Sequence, residues 1–232
     1  MIRNVVFLAI SVFAFSVSLR AQGTDKPTPV QFRAVLHDPV RPVANLFYMD
    51  EDGVVVKLNF RPKALTKPLL TLPANGSLVL YDKAEIDPEN PSASLAASIK
   101  IPTGVKNAII LVIPAPKDKI PAYRMLMIND SEKTFPKGES RVIPLVGVKT
   151  AVQAGEHRIS VDPGKIVRVP PVRKTNEYNM AQTNFYYQRQ DSWVAFTERQ
   201  LQYLDANRRL FIVHATPGAL APTVSTIVDT SR

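Results

Sequence analysis

From Val30 onward the chain is a succession of short segments in which apolar and polar residues alternate, each ended by proline or an Asx-Gly turn. A strand sends successive side chains to opposite faces. A helix instead needs apolar residues three and four apart over at least about ten positions. The alternation therefore commits most of this chain to strands. VQFRAVLH places Val30, Phe32, Ala34 and Leu36 on one face, with Gln31, Arg33 and His37 on the other. VVVKLNF turns Val54, Val56, Leu58 and Phe60 inward, and EHRISVDPG groups His157, Ile159 and Val161. NAIILVIP (Asn107 to Pro114) is apolar throughout, as a strand covered on both faces must be.

Turn chemistry punctuates these runs. DEDG (Asp50 to Gly53) reads as a hairpin turn in which Gly53 takes positive φ. Asn75-Gly76 and Asp162-Pro163-Gly164 mark two more turns. DPENPSA and PAPKDKIPA read as exposed loops. The best helical candidate, AFTERQLQYLDANRR, roughly aligns Phe196, Leu201 and Leu204, but Leu201 and Tyr203 also alternate with Gln200 and Gln202, and we read a hairpin there. No internal repeat is visible.

The expected fold is all-β: an antiparallel β-sandwich in two immunoglobulin-like halves, 22–130 and 131–232, the second carrying an aromatic hairpin. The seam falls in NDSEKTFPKGES, between Ile128 and Ser140. One larger sandwich is the alternative.

Residues 1–21 read as a secretory signal peptide. Arg3 precedes the uncharged apolar run VVFLAISVFAFSV, and Ala21 offers a cleavage point before Gln22. That run is short of the roughly 20 apolar residues a membrane span requires. The expectation is an exported protein, periplasmic or extracellular, with no transmembrane helix in the mature chain. The absence of cysteine excludes thiolate chemistry and a disulfide framework. Of 29 basic residues, removal of Arg3 and Arg20 leaves 27 against 20 acidic, a net charge of +7. Such a surface suits an anionic glycan, lipid headgroups, an envelope polymer or an acidic protein partner, and nucleic acid is not expected outside the cell.

Motifs for catalysis are missing. His37, His157 and His214 stand in separate segments without metal-ligand spacing, and neither a nucleophile elbow nor a phosphate-cradling glycine loop occurs. No cofactor and no intrinsic catalysis are expected. The rival reading is a glycan-active hydrolase using two of Glu177, Asp191, Glu198 and Asp205, which flank the aromatic region. A third is an envelope assembly or chaperone-like subunit that pairs through an edge strand.

Eight of the 15 aromatic residues after position 21 lie between Tyr178 and Phe211, so the candidate site is sought there. If TNFYYQR is a strand, Phe185 and Tyr187 share one face, while Tyr186 joins Asn184 and Gln188 on the other. The candidate ligand-binding residues are Tyr178, Asn184, Tyr186, Gln188 and Arg189: rings for stacking, amides for hydroxyl groups, and a cation for an acidic sugar. Phe185, Tyr187 and Trp193 are assigned to the core.

HRISVDPGKIVRV is loosely similar to the segment before the inter-domain strand of periplasmic pilus-assembly chaperones. The aromatic-Leu-Asn motif that follows in those proteins has no counterpart here, and no residue role is carried across. The functional expectation is an exported, non-catalytic binding or structural module of the bacterial envelope or surface.

Overall fold

A computed structural model describes residues 28–38, 44–87, 89–116 and 118–230. The signal-peptide reading lies outside the described residues. The fold is all-β, with one 3-10 turn among the described residues, at Pro91–Ser94. In the first half the strands are β1 (Val30–Leu36), β2 (Phe47–Met49), β3 (Val55–Lys57), β4 (Leu69–Thr71), β5 (Ser77–Tyr81), β6 (Leu95–Lys100), β7 (Asn107–Pro114) and β8 (Tyr123–Asn129). In the second half they are β9 (Ser140–Pro144), β10 (Thr150–Ala154), β11 (His157–Val161), β12 (Val167–Val169), β13 (Met180–Arg189), β14 (Ser192–Gln202), β15 (Arg208–His214) and β16 (Thr223–Asp229).

Each half folds into two four-stranded sheets. The inner sheets run β4-β1-β7-β8 and β12-β9-β15-β16, and the outer sheets run β3-β2-β5-β6 and β11-β10-β13-β14. Adding eight to each strand number of the first half reproduces the strand order of the second. The parallel pairs β1–β7 and β9–β15 recur too, an exception to the purely antiparallel expectation. Register confirms the equivalence. Arg33 faces Ile109 and Ile109 faces Ile128, as Arg141 faces Leu210 and Leu210 faces Ile227. The amide of His37 donates to Val112, and that of Leu145 to Val213. The chain is therefore a structural repeat that its sequence does not display.

Side-chain parity assigns the cores. In β7, Ala108, Ile110 and Val112 pack toward the outer sheet of the same half, against Leu78, Leu80 and Tyr48. Ile109, Leu111 and Ile113 face the opposite way, into a cluster with Ile143, Leu210, Ile212 and Ile227 of the second half. β15 mirrors this, with Phe211 and Val213 inside its own sandwich. The inner sheets thus pack face to face, giving four layers in the order outer, inner, inner, outer. The face of β1 expected to meet solvent is instead this interface, where Arg33 and Val35 are buried. The β8–β9 connection, polar in sequence, buries Phe135 and Glu139 completely. Val54, expected inward, is exposed beside the hairpin turn, where Asp50 Oδ1 accepts from the amides of Asp52 and Val54 and Gly53 has φ +82°.

A buried ion cluster closes one end of the interface. Arg33 makes a two-pronged contact to Asp229, at 2.7 and 2.9 Å, and reaches Asp130 Oδ2 at 2.7 Å. Arg208 bonds Asp229 Oδ2 at 2.5 and 3.0 Å, pairs with Asp130 at 2.8 Å, and donates to the Phe135 carbonyl. Burial alone would lower the Arg33 pKa, but hydrogen bonds to Asp229 and Asp130 more than offset it and hold it above the ordinary value. Asp130 and Asp229 are equivalent positions of the two halves. At the far end His37 meets His214, and their equivalents, Leu145 and Ile113, line a common cleft. Equivalent groups meeting in this way mark an approximate two-fold relation between the halves. Asp229→Ala would leave two buried guanidiniums to one carboxylate, and should lower unfolding stability by about 3–5 kcal/mol in urea denaturation. A loss below about 1 kcal/mol would show the cluster to be energetically slack.

Candidate functional site

Strands β13 and β14 form the longest hairpin among the described residues, and β14 is an edge of its sheet. On β13, Ala181, Thr183 and Phe185 are buried in the second sandwich, while Gln182, Asn184, Tyr186 and Gln188 point outward. Register carries this outward face across the sheet. Asn184 lies between Gln153 and Glu198, Tyr186 between Ala151 and Ala195, and Gln188 opposite Trp193. A bulge between Phe185 and Tyr186 absorbs one residue of β14 and turns Phe196 inward, against Phe185 and Tyr187.

The face has a defined chemistry. Gln182 Nε2 donates to Asn184 Oδ1 at 2.6 Å, Asn184 Nδ2 to the Tyr186 hydroxyl at 3.3 Å, and that hydroxyl to Gln153 Oε1 at 3.4 Å. The last two bonds are long, hence weak and easily exchanged for a ligand's. Alanine on both sides of Tyr186 leaves its ring without bulky cross-strand neighbours. Trp193 is its diagonal neighbour, about 7–8 Å away by sheet geometry. The result is an outward-facing strip with two rings and a row of amides.

Of the five residues expected here, Asn184, Tyr186 and Gln188 come together. Arg189 is exposed at the hairpin end, opposite Ser192. Tyr178 does not join them: it is 67% exposed in the turn before β13, eight residues from Tyr186, or about 27 Å along a strand. Its position is fixed by Asn176 Oδ1, which accepts from the amides of Tyr178 and Met180. Trp193, assigned to the core from sequence, is instead 39% exposed on the amide face. Phe185 is buried as expected, and Tyr187 is half-buried. Gln153 and Gln182 were missed, and Glu198, named only as a candidate hydrolytic acid, was not placed on this face. Gln182 extends the alternation Q-x-N-x-Y-x-Q legible in the sequence, whereas Gln153 and Glu198 are brought in by pairing alone.

Two of the carboxylates named for hydrolysis, Asp191 and Glu198, stand far apart. Asp191 lies in the β13–β14 turn and Glu198 seven residues along β14, about 24 Å for an extended strand, far beyond the 5–10 Å of a glycosidase pair. Glu177 and Asp205 are exposed in loops at the other end, and Asp205 is bound by Arg173 at 2.7 Å.

Two histidines that look isolated in sequence meet across the halves. His37 and His214 stack edge to face at 4.4 Å, and His214 Nε2 is 3.0 Å from Ser225 Oγ. Among the described residues no three metal-ligating side chains gather. Burial first, and then His214, lower the His37 pKa to about 4, with Asp38 opposing.

No protein-family model and no curated protein matches the chain. Among solved structures it is similar to a protein from Bacteroides ovatus ATCC 8483 titled a putative cell adhesion protein. The identity is 9% over 86% of this chain and 96% of that one, with a TM-score of 0.23. A likeness at that score does not bear on function.

Trp193→Ala should cost about 1 kcal/mol or less of stability, and Phe185→Ala about 3–5 kcal/mol, measured by urea unfolding. Equal losses would place the tryptophan in the core after all. Folding holds His37 neutral, so between about pH 4 and the ordinary value of 6.5 the unfolded chain binds the extra proton. Its stabilising contribution is full above pH 6.5 and is lost as pH falls toward 4. Urea midpoints across that window should fall less steeply in His37→Gln than in the parent protein.

Proposed function

We propose that this protein is an exported, non-catalytic binding module of the bacterial envelope or surface, and that the outer face of β13 and β14 holds an extended glycan. The observation that carries this reading is the pairing of Tyr186 and Trp193 with the amides of Asn184, Gln188, Gln153 and Gln182 on one outward face. Sugar rings offer an apolar face edged by hydroxyl groups. Aromatic rings cover the first, and amides, which both donate and accept, serve the second. An uncovered strip suits a chain of sugar residues lying along the strands better than a single enclosed sugar. The separation of Asp191 from Glu198 supports binding without hydrolysis, and Glu198 beside Asn184 favours neutral over acidic sugars there.

Native gel electrophoresis through soluble β-glucan, xylan and polygalacturonate tests the reading. Retardation by a neutral polymer is expected, and should be abolished in Trp193→Ala/Tyr186→Ala, which keeps its fold. Unaltered mobility in every polymer would refute it.

A further inference from the structure

Two hairpin tips lift large aliphatic side chains clear of the protein. Ile120 is 94% exposed and Leu220 fully so, whereas no other exposed large hydrophobic side chain among the described residues exceeds 67%. Scattered, half-covered apolar side chains are ordinary on a protein surface. Two bare ones on corresponding loops of a repeat are not. Ile120 lies in the β7–β8 connection and Leu220 in β15–β16, the equivalent hairpin of the second half.

Topology puts both tips at the same end of the molecule. β1 runs parallel to β7, and β9 to β15. His37, just past β1, bonds Val112 near the end of β7 and touches His214, the last residue of β15. The tips therefore leave the two inner sheets side by side. The β13–β14 turn opens at this end as well, because the Gln188 amide bonds the carbonyl of Lys149, one residue before β10. That turn contributes Arg189 and Trp193.

Between the base of the first tip, the end of β9 and the β11–β12 loop lies a cleft of about 290 Å³, with Ile113, Leu126, Leu145 and Ile166 among its walls and Arg124 and Lys165 on its lining. Neither cation forms an ion pair among the described residues. Lys119 adjoins Ile120. The acids at this end are Asp118 in the first tip, Asp162 paired with Lys149, buried Asp38, Asp191, and the loop after β5 with Asp82, Glu85, Asp87 and Glu89. That acidic loop belongs to the outer sheet of the first half. It disfavours approach from its own side and leaves the second half, with Leu220, Trp193 and Arg189, to lead.

We propose that this end of the molecule docks on a lipid bilayer. Ile120 and Leu220 enter the boundary between headgroups and acyl chains, Trp193 sits at headgroup depth, and Arg124, Lys165 and Arg189 meet headgroup phosphates. Convex, bare aliphatic tips suit a soft apolar layer rather than a preformed protein surface. Apolar insertion combined with cations is the two-part signal that surface-bound proteins need. Burying each aliphatic side chain strengthens partition by roughly tenfold or more. Interfacial tryptophan is a common companion of such contacts.

Because Trp193 is the only tryptophan, its emission reports docking directly. Titration with mixed phosphatidylcholine–phosphatidylglycerol vesicles should shift emission to the blue and carry the protein into the vesicle pellet. Ile120→Asp/Leu220→Asp should weaken partition by roughly a hundredfold while leaving the urea midpoint and retardation by β-glucan unchanged. Ile120→Ser/Leu220→Ser provides a milder version if the charged pair perturbs folding. Arg124→Gln/Lys165→Gln should reduce binding severalfold at low salt and little at high salt. Absence of the parent protein from the pellet would overturn the proposal, as would equal partition of the aspartate variant. So would self-association through the tips without vesicle binding.

Discussion

The contact on which the rest of this structure depends is the packing of the two inner sheets against each other. Each inner sheet is apolar on both faces, so neither half could stand alone without exposing Ile109, Leu111 and Ile113, or Leu210 and Ile212. Burying both surfaces against one another removes that liability in a single step. The ion cluster of Arg33, Arg208, Asp130 and Asp229 adds direction. Apolar faces can slide, whereas four buried charges are satisfied in one register, and Phe135 and Glu139 pin the connecting segment at the same end.

A fused interior pushes function outward. The four layers have two outer faces, occupying equivalent places in the repeat, but they are furnished differently. In the first half β5 and β6 are 5 and 6 residues long; their counterparts β13 and β14 have 10 and 11, and carry the rings and amides. The longer hairpin extends the face, and its bulge lets Phe196 serve the core while Ala195 and Trp193 stay outside. The two-fold relation has a second consequence. Equivalent loops emerge together, so features too slight to matter singly, such as one bare aliphatic side chain, become a pair at one end.

Much of the fold was legible in the residues, for a plain reason. Strand parity is local, and turns need particular residues, so the all-β class, the Gly53 turn, the doubly covered β7 and strand rather than helix within 195–209 follow from neighbours in sequence. The hairpin expected there does not form, because β14 pairs with β13, and β15 with β9 and β16 in another sheet. The repeat was not legible, because equivalent positions share hydrophobicity and register rather than letters: Ile109 corresponds to Leu210, and Asn107 to Arg208. The face of β1 that carries Arg33 reads as solvent-facing for a similar reason, since a polar residue inside an interface looks the same in sequence as one at the surface.

The candidate site divides along the same line. By itself the sequence determined that Asn184, Tyr186 and Gln188 share a face opposite Phe185, because a strand permits nothing else. The tertiary structure alone decided that Trp193 belongs with them, that Gln153 and Glu198 flank them, and that Tyr178 lies a strand's length away. It also brought His37 to His214 and Asp130 to Asp229. Parity fixes which residues of one strand go together, but register, bulges and the docking of one sheet on another depend on the sum of many distant contacts, which no short stretch of residues contains.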